Sequence, residues 1–522
     1  MTLSILIWLP LVISLIAAQA PARQVGRVTA LASLLPLALA IDYIARFHPS
    51  RAGLQFVTDD TWIGSLGIHY KLGLDGLNVT LVLLTTVLFT ISLLWSAARS
   101  EIERPRWYYF WFGFAESAVL GAFCAQDMIL FVAFFDLMLI PFYFLVGIWG
   151  TGDRRRATIK MVIYTMVGSF LMLVAAVATG VLASNQNGTA IDFTFTALGH
   201  VTLSHKTQDW LFLCFAAAFL VKMPLAPFHG WLADAYKSMP IPAVAVFSGL
   251  LSKVAAYGFL RIVLPLFPYA SRHYQMAMLV IALVSILWAT SVAFTTRDAR
   301  LVVAYSSVAQ LAFITLGIFS LRPEGAQGAL LQMLNHGIVT AAAFFVVAAV
   351  AARCGGSESL DDMGGVAFRA PVLASMFLIV AFATLAMPGS SNFIGEFMIL
   401  LGVFKAKLAI SAIAFLGVIG AGYYGLRLFI SAMHNRVGPA VASREMVMPE
   451  AVAIVPLVAL TLVFAFYPQF GLHRSEASVR VALAPTAELA PVRVTATAAA
   501  ASPGSRVIHV TEHLKLVHAA SP

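Results

Sequence analysis

Apolar stretches of about 20 residues, each long enough to cross a hydrocarbon layer of roughly 30 Å, recur almost without interruption from Met1 to about Leu472. A chain of this kind has few structural choices. Lipid offers no hydrogen bonds to the backbone, so each crossing segment must satisfy its own N–H and C=O groups, as a helix does. The composition agrees, with 60% hydrophobic and 11% charged residues and a mean hydropathy of +0.89. The expected fold class is an all-α integral membrane protein with about 14 transmembrane helices and no soluble domain between them. These helices are expected near residues 2–20, 26–47, 75–98, 107–124, 126–149, 157–182, 209–229, 242–264, 273–294, 300–320, 326–352, 371–401, 408–434 and 450–472. The first stretch resembles a signal peptide at Ala18-Gln19-Ala20. It lacks a basic start and contains Pro10, so it reads as a retained helix.

The net charge of +9 does not form one basic patch, which argues against a nucleic-acid partner. Lys and Arg gather on alternate loops instead, about fifteen to seven, with Arg23, Arg27, Arg104, Arg106, Arg154, Arg155 and Arg156 on the richer side. That asymmetry puts the richer loops in the cytoplasm and both termini on the outer side of a multi-pass protein. The run Arg154 to Arg156 could also meet anionic lipid or a partner, although topology alone accounts for it. Beyond Leu472 the chain turns to Ala, Val, Pro and Thr, so residues 473–522 read as a poorly ordered or surface-lying tail. Cys124, Cys214 and Cys354 are too isolated for a disulfide frame, a metal site or an iron–sulfur cluster. No cofactor is expected in this chain.

Two spans are interrupted. In residues 216–234, Lys222 lies deep in an apolar run with Pro224, Pro227 and His229 close behind. Proline removes a helix hydrogen bond and clashes with the preceding turn. A charged lysine at mid-membrane depth costs about 2.5–3.5 kcal/mol, so the segment predicts a buried, hydrated site. A kinked core helix with a snorkelling lysine is the plainer reading. The second break is Met387-Pro388-Gly389-Ser390-Ser391, followed within about two turns by Glu396. If helices 4–8 and 9–13 are two units, each break falls in the fourth helix of its unit, making helices 7 and 12 discontinuous. Five helices is an odd number, so such copies insert with inverted topology, and paired breaks in inverted halves point to a transport site. The implied organisation is residues 1–105 (helices 1–3), 106–268 (first repeat), 269–440 (second repeat), 441–472 (helix 14) and 473–522 (tail). Asp136 and Lys222 are 86 residues apart, as are Gln310 and Glu396, which supports a duplication.

Ionisable residues inside the spans are Glu116, Asp136, Lys222, Lys253, His336 and Glu396. Buried membrane charges usually pair or line water, and six of them across two repeats suggest a path. Asp136 and Lys222 have the chemistry of a proton switch: a nearby carboxylate favours a charged lysine, and moving it away releases the proton. Lys253 could take that proton next, His336 could accept and give it, and Glu396 would be the exit group. The structural alternatives are an Asp–Lys lock between helices, a packing histidine, a Glu116 that only orients a neighbour, and a solvated Lys253. No phosphate-cradling loop, catalytic triad, or NADH, flavin or iron–sulfur motif is present.

The segments FFDLMLIPFYFLVGIWG, VKMPLAPFHGWLADA, RDARLVVAYSSVAQLAF, QMLNHG and PGSSNFIGEF together resemble the antiporter-like subunits of NADH:quinone oxidoreductase, respiratory complex I. The length and Glu396 in helix 12 are most similar to the M-type branch, since L-type and N-type subunits carry lysine there. The resemblance implies a membrane-arm subunit in the bacterial cytoplasmic membrane that moves a proton as electrons pass from NADH to quinone elsewhere. It implies L-type and N-type neighbours, with NADH, flavin, iron–sulfur clusters and quinone on partner subunits. By the same resemblance, Glu116 matches the helix 4 glutamate, Asp136 the helix 5 glutamate, Lys222 and Lys253 the lysines of helices 7 and 8, and His336 the helix 11 histidine. The sequence departs from the family in three places. Asp136 is one methylene shorter than the usual glutamate, so the helices must sit closer or a water must bridge to Lys222. Gln310 replaces a common helix 10 histidine and cannot relay a proton by titrating. Tyr236 follows WLADA where histidine is frequent. A subunit of a multi-subunit cation/proton antiporter, and a structural spacer in a hydrogenase-like complex, are the alternative readings.

Overall fold

The computed structural model describes residues 2–98 and 102–489. Ten of the described helices are long and apolar enough to cross a membrane. Among the described residues the fold is helical apart from one antiparallel hairpin, Gln55–Ile63 paired with Ile68–Leu74. That hairpin was not expected from the sequence. Its turn passes through Gly67 at φ +64°, where a Cβ would collide with the Ile191 carbonyl. It delays the third span, so the helix expected from residue 75 begins at Val79.

The prolines act where they stand. The stretch expected as one helix over 126–149 is two, Met128–Leu137 and Leu139–Trp149, because the Pro141 ring clashes with the carbonyl of Leu137 four residues before it. Asp127 caps the first half through the Ile129 and Leu130 N–H groups. Asp136 therefore lies one turn before a kink. The Lys222 helix, expected to reach residue 229, is His205–Lys222, and after an irregular stretch the chain resumes as Leu232–Ser238. Pro371–Thr384 and Ser391–Ala406 flank the second break, where Ala386 sits at φ +50° and Gly389 at φ +95°. Both interruptions fall where the sequence predicts them.

The core is the Pro323–Ala351 helix, whose side chains are buried almost throughout. It packs against Ala299–Phe319, against Ile241–Leu266 and against Ser391–Ala406. The last of these approaches is close because glycines face one another. A Cβ on Gly328 would stand 2.8 Å from the Ile399 nitrogen, and one on Gly402 would stand 2.5 Å from the Gly325 nitrogen. Small residues at such contacts let backbones meet without the hydrophobic drive that water supplies.

The tail corrects the sequence reading in part. The segment expected to be poorly ordered from residue 473 starts inside a helix, Gln469–Glu488, while residues 490–522 lie outside the described residues. Ser475, Ser478, Val479, Ala482, Leu483 and Thr486 are its buried face, at the three-to-four-residue spacing of an amphipathic helix. Ser478 Oγ accepts the Gly76 N–H at 2.9 Å, which ties this helix to the turn after the hairpin.

Candidate functional site

The first broken helix ends with Lys222 as its last residue, so the amine sits where the backbone ladder stops. Lys222 is 3% exposed, and its Nζ has no hydrogen-bond partner. It lies over the Phe135 ring, 4.5 Å from the centroid, a cation–π contact. Asp136 is the next residue along that neighbouring helix, yet it forms no ion pair with Lys222. The two are near enough for their charges to interact. The closer helix approach offered for a shortened carboxylate does not bring them into direct contact. Asp136 is instead half-buried beside a lateral cavity of about 390 Å³ that Ser169, Tyr143 and Phe170 also line. Glu116, 1% exposed, has a carboxylate oxygen with no partner.

The second half of the proposed set is assembled more tightly. Ile241–Leu266 runs through two π-helical segments, Phe247–Leu251 and Phe259–Val263. Lys253 is fully buried, and its Nζ donates to the Ser248 carbonyl inside the first of these segments. Single π-turns shift backbone groups out of the regular ladder and recur at functional sites. Ser248 Oγ donates to Ser307 Oγ at 3.2 Å and is 3.3 Å from Thr340 Oγ1, while Ser307 and Thr340 are 2.8 Å apart. Lys253 is also close enough to His336 for their charges to interact.

From Ser307 and Thr340 the polar lining continues. They share a buried cavity of about 10 Å³ with Ser306, Gln310, His336, Thr384 and Asn392, room for about one water molecule. Gln310 Nε2 donates to Glu396 Oε1 at 2.6 Å, and Gln332 Nε2 donates to Gln310 Oε1 at 2.7 Å. Gln310 is thus a direct partner of Glu396. Tyr424 OH donates to Ser306 Oγ at 3.0 Å on the same side. Around the second break, Asn335 Nδ2 donates to the Ser391 carbonyl at 2.7 Å. Asn335 Oδ1, both side-chain polar atoms of Asn392, Ser391 Oγ, Gln332 Oε1 and His336 Nδ1 are buried without protein partners. Buried polar groups take water when protein offers them nothing.

The structure therefore brings Lys253, His336, Gln310 and Glu396 to one polar seam, and leaves Lys222, Asp136 and Glu116 outside it. No side-chain hydrogen bond joins Lys222 to Lys253. Phe219, one turn before Lys222, packs its ring against Phe131 and Phe135 on one side and against Phe259, beyond Lys253, on the other. Sequence reasoning missed Ser248, Ser307, Gln332, Asn335, Thr340, Asn392 and Tyr424. A signal was present: Gln332, His336 and Thr340 recur every fourth residue and so form one polar stripe on a buried helix.

The family described as NADH:quinone oxidoreductase/Mrp antiporter, transmembrane, matches residues 125–421. NADH-quinone oxidoreductase subunit M of Rhodobacter capsulatus is 36% identical over 482 residues, covering 89% of this chain and 93% of the relative. Subunit M of Mycobacterium tuberculosis is 36% identical, covering 84% of this chain and 85% of the relative. Among solved structures, a chain of respiratory complex I from Thermus thermophilus superposes with a TM-score of 0.83 at 29% identity, covering 92% of this chain and all of that one. The Mrp complex of Dietzia sp. shares the fold, with a TM-score of 0.81 at 21% identity over 93% of this chain and 98% of that one. With the family match spanning more than half of the chain, and relatives above 30% identity spanning most of it, the chain belongs to the NADH:quinone oxidoreductase/Mrp antiporter family of multi-pass membrane proteins.

Proposed function

We propose that this chain is a membrane-arm subunit of a proton-translocating NADH:quinone oxidoreductase, and that its own task is to carry protons across the membrane. Electron transfer, with its flavin, iron–sulfur clusters and quinone, takes place on partner subunits. L-type and N-type subunits flank the chain in the cytoplasmic membrane, with both termini outside. The observation that carries this reading is the polar seam from Lys253 to Glu396, buried in an apolar bundle and ending at a broken helix. A purely structural interior has no reason to collect so many unpartnered polar atoms, each of which costs about 1–3 kcal/mol when left unsatisfied.

In this reading Asp136 and Lys222 load the path. When Asp136 swings toward Lys222 about the kink before Pro141, the lysine holds its proton; when it swings away, the proton passes inward. Lys253 receives it, the Ser248, Ser307 and Thr340 hydroxyls carry it past His336 with water, and Glu396 delivers it. Glu116 positions the loading groups. The two interruptions, each in the fourth helix of a five-helix unit starting at Pro105 and at Gln275, favour the inverted-repeat organisation.

The test is NADH-driven proton uptake in inverted membrane vesicles carrying Lys222→Ala, with an uncoupler as control. Loss of pumping and of coupled NADH oxidation in an assembled complex is the expected result. Persistence of both would make the broken helix scaffolding, and uptake driven by a sodium gradient without NADH would favour the antiporter reading.

A further inference from the structure

The helix Arg154–Asn187 is 34 residues long, about 51 Å at 1.5 Å per residue, against a hydrocarbon layer of roughly 30 Å. A helix of that length cannot lie wholly within the layer, and its charged first turn is the end that belongs outside it. Three arginines occupy that turn, although the positive end of the helix dipole disfavours cations there. Arg154 has a local task, since its guanidinium donates to the Ile148 and Gly150 carbonyls that end the preceding helix. Arg155 and Arg156 are exposed, and among the described residues their guanidiniums meet no hydrogen-bond or ion-pair partner.

Below them lies a groove of about 500 Å³ lined by Arg155, Arg156, Ile159, Lys160, Ile163 and Tyr164, with Asp153 at its edge. Residues 155, 159 and 163 follow every fourth position, so Arg155 stands above Ile159 and Ile163, while on the adjacent row Arg156 stands above Lys160 and Tyr164. Lys160 is taken by Asp234 at 2.7 Å, and Asp153 caps the helix through the Arg156 N–H. That leaves two free guanidiniums over one occupied carboxylate. The apolar stripe continues downward through Val167 and Phe170, 57% and 59% exposed. From residue 159 to 170 it runs about 16 Å, close to one leaflet's half of the hydrocarbon layer.

We propose that this groove is a binding site for an anionic phospholipid, with the phosphodiester between Arg155 and Arg156 and an acyl chain along Ile159, Ile163, Val167 and Phe170. The groove matches an amphiphile in charge, in the order of its polar and apolar parts and in length. Guanidinium forks suit phosphate oxygens, which accept two hydrogen bonds from one arginine. The proposal rests on the membrane reading of the chain and is independent of proton pumping.

The experiment uses the intact complex, washed in detergent, with retained lipid counted by native mass spectrometry after exchange against phosphatidylglycerol or phosphatidylcholine vesicles. Wild type should retain about one more phosphatidylglycerol per complex than Arg155→Gln/Arg156→Gln, with phosphatidylcholine alike in both. Two basic groups near a membrane surface correspond to about 30-fold in affinity for the anionic lipid. Ile163→Trp, which fills the groove and leaves the charges, should expel the same lipid and serves if the arginine variant does not assemble. Equal retention in wild type and both variants overturns the proposal. So does displacement of the lipid by millimolar inorganic phosphate, which would mark a phosphate site, or loss of a neighbouring subunit in place of the lipid, which would mark a protein interface. Failure of these tests leaves the pumping assays untouched, so the two readings fall separately.

Discussion

Replacing Gln310 by leucine tests the seam at its most defined contact. The Gln310 amide donates to Glu396 at 2.6 Å and accepts from Gln332 at 2.7 Å, and all three side chains are buried. A hydrogen bond to an ionised carboxylate contributes about 1.5–3 kcal/mol, and a stranded buried donor such as Gln332 Nε2 costs a further 1–3 kcal/mol or so. Loss of the bond to the carboxylate alone should slow any step that passes through ionised Glu396 by about 10–150-fold, at one factor of ten per 1.4 kcal/mol or so, while the stranded donor weakens the fold. Gln332→Leu leaves the contact with Glu396 in place, so its effect should be smaller. The double variant removes the stranded donor and should be less impaired than the sum of the single ones, a coupling that a double-mutant cycle reads directly. Gln310→His restores a donor and should recover much of the lost rate. The assay is NADH-driven proton uptake in inverted vesicles, normalised to assembled complex on a native gel. Wild-type uptake per complex in Gln310→Leu would mean that the bond supports nothing on the proton path.

Gly328→Ala should destabilise the complex by about 1–3 kcal/mol, since the new methyl meets the Ile399 nitrogen at 2.8 Å and the Gly395 carbonyl at 2.9 Å. Gly422→Ala, with open space around it, should be neutral or stabilising, and thermal melts of the two variants check the contrast. The hairpin should weaken in acid. Partial burial pushes the Asp59 carboxyl up, but Lys71 at 2.8 Å and His69 at 3.0 Å together hold it below its ordinary value. A carboxyl lowered by folding stabilises the fold above its unfolded value of about 3.9, and that contribution is lost as pH falls through the lower folded value. Protection of the Gln55–Leu74 amides, their hydrogen exchange taken relative to the intrinsic rate at each pH, should therefore fall below about pH 4 in wild type and already be lower at neutral pH in Asp59→Asn.

Much of this architecture is legible from elementary rules. Prolines 141, 224 and 388 mark a kink and two breaks because proline cannot continue a helix ladder, and the charges at 222 and 396 stand out because lipid penalises them. The hairpin was not legible by the same means, since its strands lie between long apolar runs and are held by groups far along the chain, the Gln126 N–H on the Lys71 carbonyl and the Asp127 carboxylate on the His69 N–H. The Gln469–Glu488 helix escaped because attention to spanning runs overlooks a polar helix that buries one face. At the site, the ionisable residues were conspicuous and the neutral ones were not. Serine, threonine, asparagine and glutamine are common enough in membrane helices that only their alignment, such as Gln332, His336 and Thr340 on one face, separates a seam from scattered polarity. That Lys222 rests on Phe135 without a direct ion pair to Asp136 depends on rotamers no spacing rule supplies.

In the proposed path every proton passes through Glu396. Glutamine in its place keeps the shape and can still accept the Gln310 hydrogen bond, so Glu396→Gln removes proton exchange and little else. The measurement is the number of protons taken up per NADH oxidised by the purified complex in proteoliposomes, wild type against Glu396→Gln. A lower ratio, or a matched fall in oxidation and uptake with the complex intact, is the predicted result. An unchanged ratio at an unchanged rate would contradict the account, because the seam would then end at a group that exchanges no proton.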